Sequence, residues 1–166
     1  MDAECSASSF DPHMDTHIFN NQSDLLLQDH AAQAIASEVI NLEGAKFDEA
    51  AIHFVDEPTI CALHKQYFDD PSPTDCISFP MDGVDEEGYK VLGEIFVCPK
   101  AALDYAKEHK GTTPYEETTL YIVHGLLHLM GYDDMNNADR AQMREAEERH
   151  LQNLRNKGLV LAPPKV

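Results

Sequence analysis

The chain has 166 residues, 43% of them apolar, and carries a formal charge of −18 from 12 basic and 30 acidic side chains. That length and apolar content suit one domain with a true core and argue against disorder over most of the chain. No apolar run approaches bilayer length, and the acidic excess argues against nucleic-acid binding through the overall field.

Residues 1–15 are polar, small and without period, and read as a loose N-terminal arm. The acidic start Met1-Asp2-Ala3-Glu4 lacks a basic segment followed by an apolar one, so it is no secretory signal and a cytoplasmic location is expected. Residues 16–21 predict a first strand. Ser23 or Asp24 is expected to cap a helix running to about Asn41, with Leu26, His30, Ala34 and Ile35 on one side. Ala51 to Val55 predicts a second strand. Asp56 then caps a helix that has Pro58 in its first turn and Ile60, Leu63 and Tyr67 as its apolar stripe. The run Asp69-Asp70-Pro71-Ser72-Pro73 is a turn signal.

Cys76 to Phe79 predicts a third strand, closed by Pro80, and residues 82–90 a polar turn. Val91 to Cys98 predicts a fourth strand, in which Gly93 marks a bulge or a close approach. Pro99 opens a helix to about His109. Thr113-Pro114-Tyr115-Glu116 is a helix start with Thr113 as N-cap, Pro114 at the first position and Glu116 completing a capping box. Its apolar stripe is Leu120, Val123, Leu127 and Met130. A last helix is expected from about Ala138 to Asn156 on Met143, Ala146, His150, Leu151 and Leu154, followed by a C-terminal tail over residues 158–166 that frays from Ala162 onward. The sum is an α+β domain over residues 16–157, with one mixed sheet of about four strands and some five helices packed on it.

Two side-chain groups outside the fold pattern need an assignment. Cys5, Cys61, Cys76 and Cys98 are scattered with no C-x-x-C, which excludes a zinc ribbon and a disulfide scaffold; the last three sit among apolar residues and read as buried thiols. Arg140, Arg144, Arg149, Arg155 and Lys157 alternate with Glu145, Glu147 and Glu148, and read as a solvated helix face laced by i,i+4 pairs.

The stretch His124-Gly125-Leu126-Leu127-His128-Leu129-Met130-Gly131-Tyr132-Asp133-Asp134 carries chemistry. Residues i and i+4 of a helix point the same way, so His124 and His128 can offer ring nitrogens to one ion. Gly131 is placed for a turn with positive φ that ends the helix. Asp134 then comes within reach as an oxygen ligand, with the neighbouring Asp133 as the alternative. Three protein ligands leave an open position, the arrangement of a catalytic metal site. The spacing is that of metzincin peptidases without the glutamate that serves as their general base, since Gly125 stands in its place.

These residues resemble the YbeY family of metal-dependent endoribonucleases, also known as rRNA maturation factors. The family signature H-G-x-L-H-L-x-G-Y-D-H matches residues 124–134, T-D-V-L-S-F-P matches Thr74 to Pro80, and L-G-D-I matches Leu92-Gly93-Glu94-Ile95. Order and spacing agree over about residues 17–155. Two positions depart from the family: its third metal ligand is histidine where this chain has Asp134, and an arginine thought to face RNA phosphate is replaced by Phe68. A carboxylate is an accepted zinc ligand, but it weakens the acidification of a bound water and favours harder ions such as Mn²⁺ or Fe²⁺. Phenylalanine cannot neutralise a phosphate, and a half-buried ring at a helix end is the reading preferred for Phe68.

The resemblance implies a single-strand-specific endoribonuclease that matures small-subunit ribosomal RNA and serves ribosome quality control. His124, His128 and Asp134 are expected to hold one divalent ion, Zn²⁺ foremost, that polarises a phosphoryl oxygen and activates a water. Ser78 and Glu94 are candidate contacts to the substrate or to the ligands; the competing readings are a hydroxyl bonded to backbone and a strand-edge carboxylate. The charge of −18 predicts weak, salt-sensitive binding of naked RNA and dependence on the ribosome or a small-subunit protein. Rival readings are a metallopeptidase-like hydrolase and a non-catalytic ribosome-associated factor with a structural metal. A non-haem iron oxygenase is disfavoured, because all three ligands lie in one short segment.

Overall fold

The computed structural model describes residues 15–81 and 84–165. The expected arm therefore lies, apart from Asp15, outside the described residues. In chain order the elements are β1 (Asp15–Asn21), α1 (Asp29–Leu42), β2 (Glu49–Val55), α2 (Glu57–Phe68), β3 (Cys76–Pro80), β4 (Val91–Val97), α3 (Pro99–Glu108), α4 (Pro114–Leu129) and α5 (Asn137–Asn156).

The four strands form one mixed sheet in the order β1-β2-β4-β3. The β1–β2 and β2–β4 pairs are parallel and the β3–β4 pair antiparallel. The expected irregularity at Gly93 is present. Glu49 pairs with Val91 but Ala51 with Glu94, so β4 carries one extra residue there. Gly93 has φ +141°, and a side chain on it would collide with the Phe79 carbonyl oxygen.

One face of the sheet, through Ile52, Phe54, Ile95 and Val97, packs on α1 and α4, and α5 joins this main core by packing on α4. A smaller cluster of Val55, Ile60, Ile77 and Cys98 lies under α2. On the other face Phe19, His53 and Phe96 stack with ring centroids 4.7 and 4.2 Å apart, and Phe79 meets Phe96 edge-on.

The signals at the starts of α2 and α4 act as read. Asp56 accepts the Thr59 N–H, and Thr113 Oγ1 accepts the Glu116 N–H. The capping box itself is not completed through Glu116; Thr112 Oγ1 donates to Glu117 instead. The stripe expected on α4 understates its burial. Thr118, Thr119, Tyr121, Ile122, Val123, Gly125, Leu126, Leu127 and Leu129 are all buried, so α4 is the central helix of the domain, covered on nearly every side.

Three expectations change. Helix α1 starts at Asp29, not after Ser23 or Asp24, and its core face is Ala32, Ile35, Ala36, Val39 and Ile40. The Gln22 side chain bonds both the N–H and the carbonyl of Leu25, which holds residues 22–25 as a loop and leaves Leu26 75% exposed. In α2 only Ile60 is buried, and Tyr67 lies open. Of the three cysteines Cys98 is buried and Cys61 half-buried; Cys76 is half-buried as a residue, but its thiol is buried against Gly125. Beyond α5, Leu161 is buried and its N–H donates to Thr119 Oγ1 of α4.

Candidate metal centre

The last two turns of α4 carry His124 and His128, held in place by the apolar packing that surrounds the rest of the helix. Gly131, with φ +102°, ends the helix and reverses the chain. That reversal brings Asp134 back over the imidazoles. His124 Nε2 and His128 Nε2 lie 3.0 Å apart, and Asp134 Oδ2 lies 3.8 and 3.3 Å from them. Among the described residues these three form the group able to hold a metal ion. Ligands bonded to zinc at about 2.0–2.1 Å in a tetrahedron lie about 3.4 Å from one another, a value the observed triangle brackets.

The donor chemistry fits an ion as well as the distances do. His124 Nδ1 is 2.6 Å from Glu147 Oε2, and His128 Nδ1 is 3.0 Å from the Tyr132 carbonyl oxygen. Both partners only accept, so each Nδ1 carries the proton and donates it. In the neutral rings each Nε2 is then left with a lone pair, and the two lone pairs converge beside a carboxylate oxygen. Such outer partners fix ring orientation and raise ligand basicity in metal sites. Burial alone would lower the His124 pKa, but the hydrogen bond and charge of Glu147, with Asp75 and Asp134 further off, more than offset it and raise it.

Glu147 is the residue that reading the sequence misses. The charge pattern groups it with Glu145 and Glu148 on a solvated face, yet its side chain is only 17% exposed and faces the helix that carries His124. A cavity of 310 Å³ beside the triad is lined by Asp75, His124, Asp134, Arg140, Arg144 and Glu147, among others. Arg140 donates from Nη1 to the carbonyls of Asp134 and Met135, clipping the ligand loop to α5. Tyr132 is held in turn: its hydroxyl donates to Glu43, which also accepts from Arg149 and from the buried His150.

The other candidates stand apart from the triad. Asp133 accepts the Asp134 N–H at 2.7 Å and lines a different hollow. Ser78 donates to the Gly125 carbonyl at 3.2 Å, tying β3 to the ligand helix through its backbone. Glu94 lies on the far face of the sheet, 2.9 Å from His53 Nε2. Phe68 is 55% exposed, more open than the half-buried ring expected, and does not line the cavity. Gly125 marks a close approach: a Cβ there would lie 2.8 Å from Cys76 Sγ and 3.0 Å from Ile95 Cγ2. The position where a peptidase carries its base is thus packed against the sheet.

A histidine pair on a buried helix, closed by a carboxylate after a glycine turn and backed by a second carboxylate, is a donor set able to hold a metal ion, as metal-dependent hydrolases require. Residues 17–155 match the family model described as Endoribonuclease YbeY. The chain is 56% identical over 136 residues to the Endoribonuclease YbeY of Protochlamydia amoebophila, covering 82% of this chain and 90% of that protein. It is 35% identical to that of Chlamydia trachomatis serovar D, over 88% of this chain and 91% of the relative. The solution structure of TM1509 from Thermotoga maritima shares the fold, with a TM-score of 0.59 and 23% identity over 86% of this chain and 91% of that one. The chain belongs to the YbeY endoribonuclease family.

Proposed function

We infer that the protein is a single-strand-specific, metal-dependent endoribonuclease of small-subunit ribosomal RNA maturation and ribosome quality control, acting in the cytoplasm. The observation that carries this reading is the convergence of two Nε2 lone pairs and one carboxylate oxygen on one point beside an open cavity. His124, His128 and Asp134 are the residues assigned to hold the ion, and Zn²⁺ suits both their chemistry and their spacing. When bound, the ion supplies Lewis acidity toward a phosphoryl oxygen and toward an attacking water. Glu147 and the Tyr132 carbonyl keep both imidazoles in the donor-ready tautomer. The cavity walls position the phosphodiester.

The rival readings lose support on particular residues. A metallopeptidase needs a base where Gly125 meets Cys76 and Ile95, and no carboxylate fits there. A structural metal is one on which folding depends, yet α4 is held by apolar packing along its whole length. The charge of −18 supports weak, salt-sensitive binding of naked RNA, which the ribosome or a small-subunit protein would strengthen. No helix among the described residues is long and apolar enough to cross a membrane.

The test is cleavage of a labelled single-stranded RNA by Zn²⁺-loaded protein, beside His128→Ala shown to be equally folded. Cleavage by the parent chain alone is expected. Equal cleavage by both, or none by the parent with Zn²⁺, Mn²⁺ or Fe²⁺, would refute the reading.

A further inference from the structure

Resting on the ribonuclease reading, we propose that Arg144 of α5 is the phosphate-contacting cation of this site, with Arg140 beside it as a positioning residue that holds the ligand loop. The cavity that opens onto His124 and Asp134 has both arginines among its lining residues, on the side contributed by α5. The residues lie four apart, one helical turn, so both face the same space. Their surroundings separate them from the other arginines of the helix. Arg149 is engaged by Glu43, and Arg155 lies 3.8 Å from Glu148. Arg140 spends donors on the carbonyls of Asp134 and Met135 and on Asn137. Among the described residues Arg144 has no ion pair and no side-chain hydrogen bond, and it is exposed.

The electrostatics of the cavity favour an anion only once an ion is bound. Asp75, Asp134 and Glu147 outnumber Arg140 and Arg144 by one charge. A divalent ion in the triad would reverse that sign, while the Arg144 guanidinium remains to pair with phosphate oxygens. In a chain of charge −18, this is a local cationic wall where the overall field is repulsive.

The test is fluorescence anisotropy of a labelled 2′-O-methyl single-stranded RNA dodecamer, intact on a gel afterwards, titrated with Zn²⁺-loaded full-length protein across a salt series. The variants are Arg144→Gln, Arg144→Lys and, as an equal change of net charge outside the cavity, Arg155→Gln. Arg144→Gln is expected to bind roughly five- to tenfold more weakly at low salt. The slope of log K against log salt is expected to fall by about 0.7, the value for one phosphate contact to a single strand. Arg144→Lys should keep the slope and part of the affinity, Arg155→Gln should match the parent, and zinc content should be unchanged in all. If the parent binds and cleaves RNA while Arg144→Gln binds with parental affinity and slope, the assignment of Arg144 is overturned and the ribonuclease reading stands. Equal losses in Arg144→Gln and Arg155→Gln overturn it too. A parent that neither binds nor cleaves RNA removes the ribonuclease reading, and this assignment with it.

Discussion

Removing the Glu147 carboxylate should weaken metal binding without unfolding the domain. The 2.6 Å contact from His124 Nδ1 to Glu147 joins side chains that are 29% and 17% exposed, so solvent screens it only partly. In Glu147→Ala the ring loses its tautomer lock and its orientation toward His128. Loss of such an outer partner lowers metal affinity by about 10–100-fold, or about 1.4–2.7 kcal/mol. Glu147→Gln keeps an acceptor oxygen at the same reach but not the charge, and is expected to fall between the parent and Glu147→Ala. The assay is competition for Zn²⁺ against a chromophoric chelator near neutral pH, with thermal unfolding in chelator as the control for folding. Parental affinity in Glu147→Ala would show that the contact does not support the ligand and would refute the argument.

Three further outcomes follow from other parts of the molecule. Gly125→Ala should destabilise by about 1–2 kcal/mol, because overpacking against Cys76 and Ile95 exceeds the gain in helix propensity; in denaturant titrations, adding Cys76→Ala should restore part of the loss, and strictly additive effects would contradict the contact. Burial alone would raise the Glu43 pKa, but hydrogen bonds from His150, Tyr132 and Arg149 hold it below its ordinary value of 4.5. The stability it contributes is therefore complete above that value and lost as pH falls below it. Glu43→Gln should show a shallower loss of stability across that acid range than the parent, and identical slopes would exclude the network. Chelation should leave a folded domain with cooperative unfolding, its Tm lower by roughly 5–10 °C for a metal present at about a hundred times its Kd; non-cooperative melting in chelator would mean that the metal is structural.

What the sequence made legible was local. Thr113 and Asp56 act as N-caps because the bond runs to an N–H three residues on, and Gly131 takes its positive φ at a helix end. The His124–His128–Asp134 triangle needs one helix and one turn, so spacing alone reveals it. What was hidden depends on partners far away in the chain. Glu147 reaches His124 across 23 residues only because α5 packs on α4, and nothing in the 145–148 run distinguishes it from its neighbours. The same packing converts Arg140 and Arg144 from members of a surface pattern into the wall of a cavity. At α1 the Ser23-Asp24 pair offered a plausible cap, but Gln22 had already claimed the adjacent backbone.

The division of ligands between a buried helix and a short loop gives the site unequal clocks. His124 and His128 move only as α4 moves, and a helix covered on nearly every side opens at close to the free energy of the whole domain. Asp134 sits on the segment between α4 and α5, fastened mainly by Arg140 to backbone carbonyls. With an ion bound, exchange would be expected to begin with the Asp134 carboxylate swinging away while the imidazole pair stays in place. Residence time would then follow the grip on that loop, and equilibrium affinity mostly the helix behind it. Loosening Arg140 should speed turnover of the ion far more than it shifts occupancy.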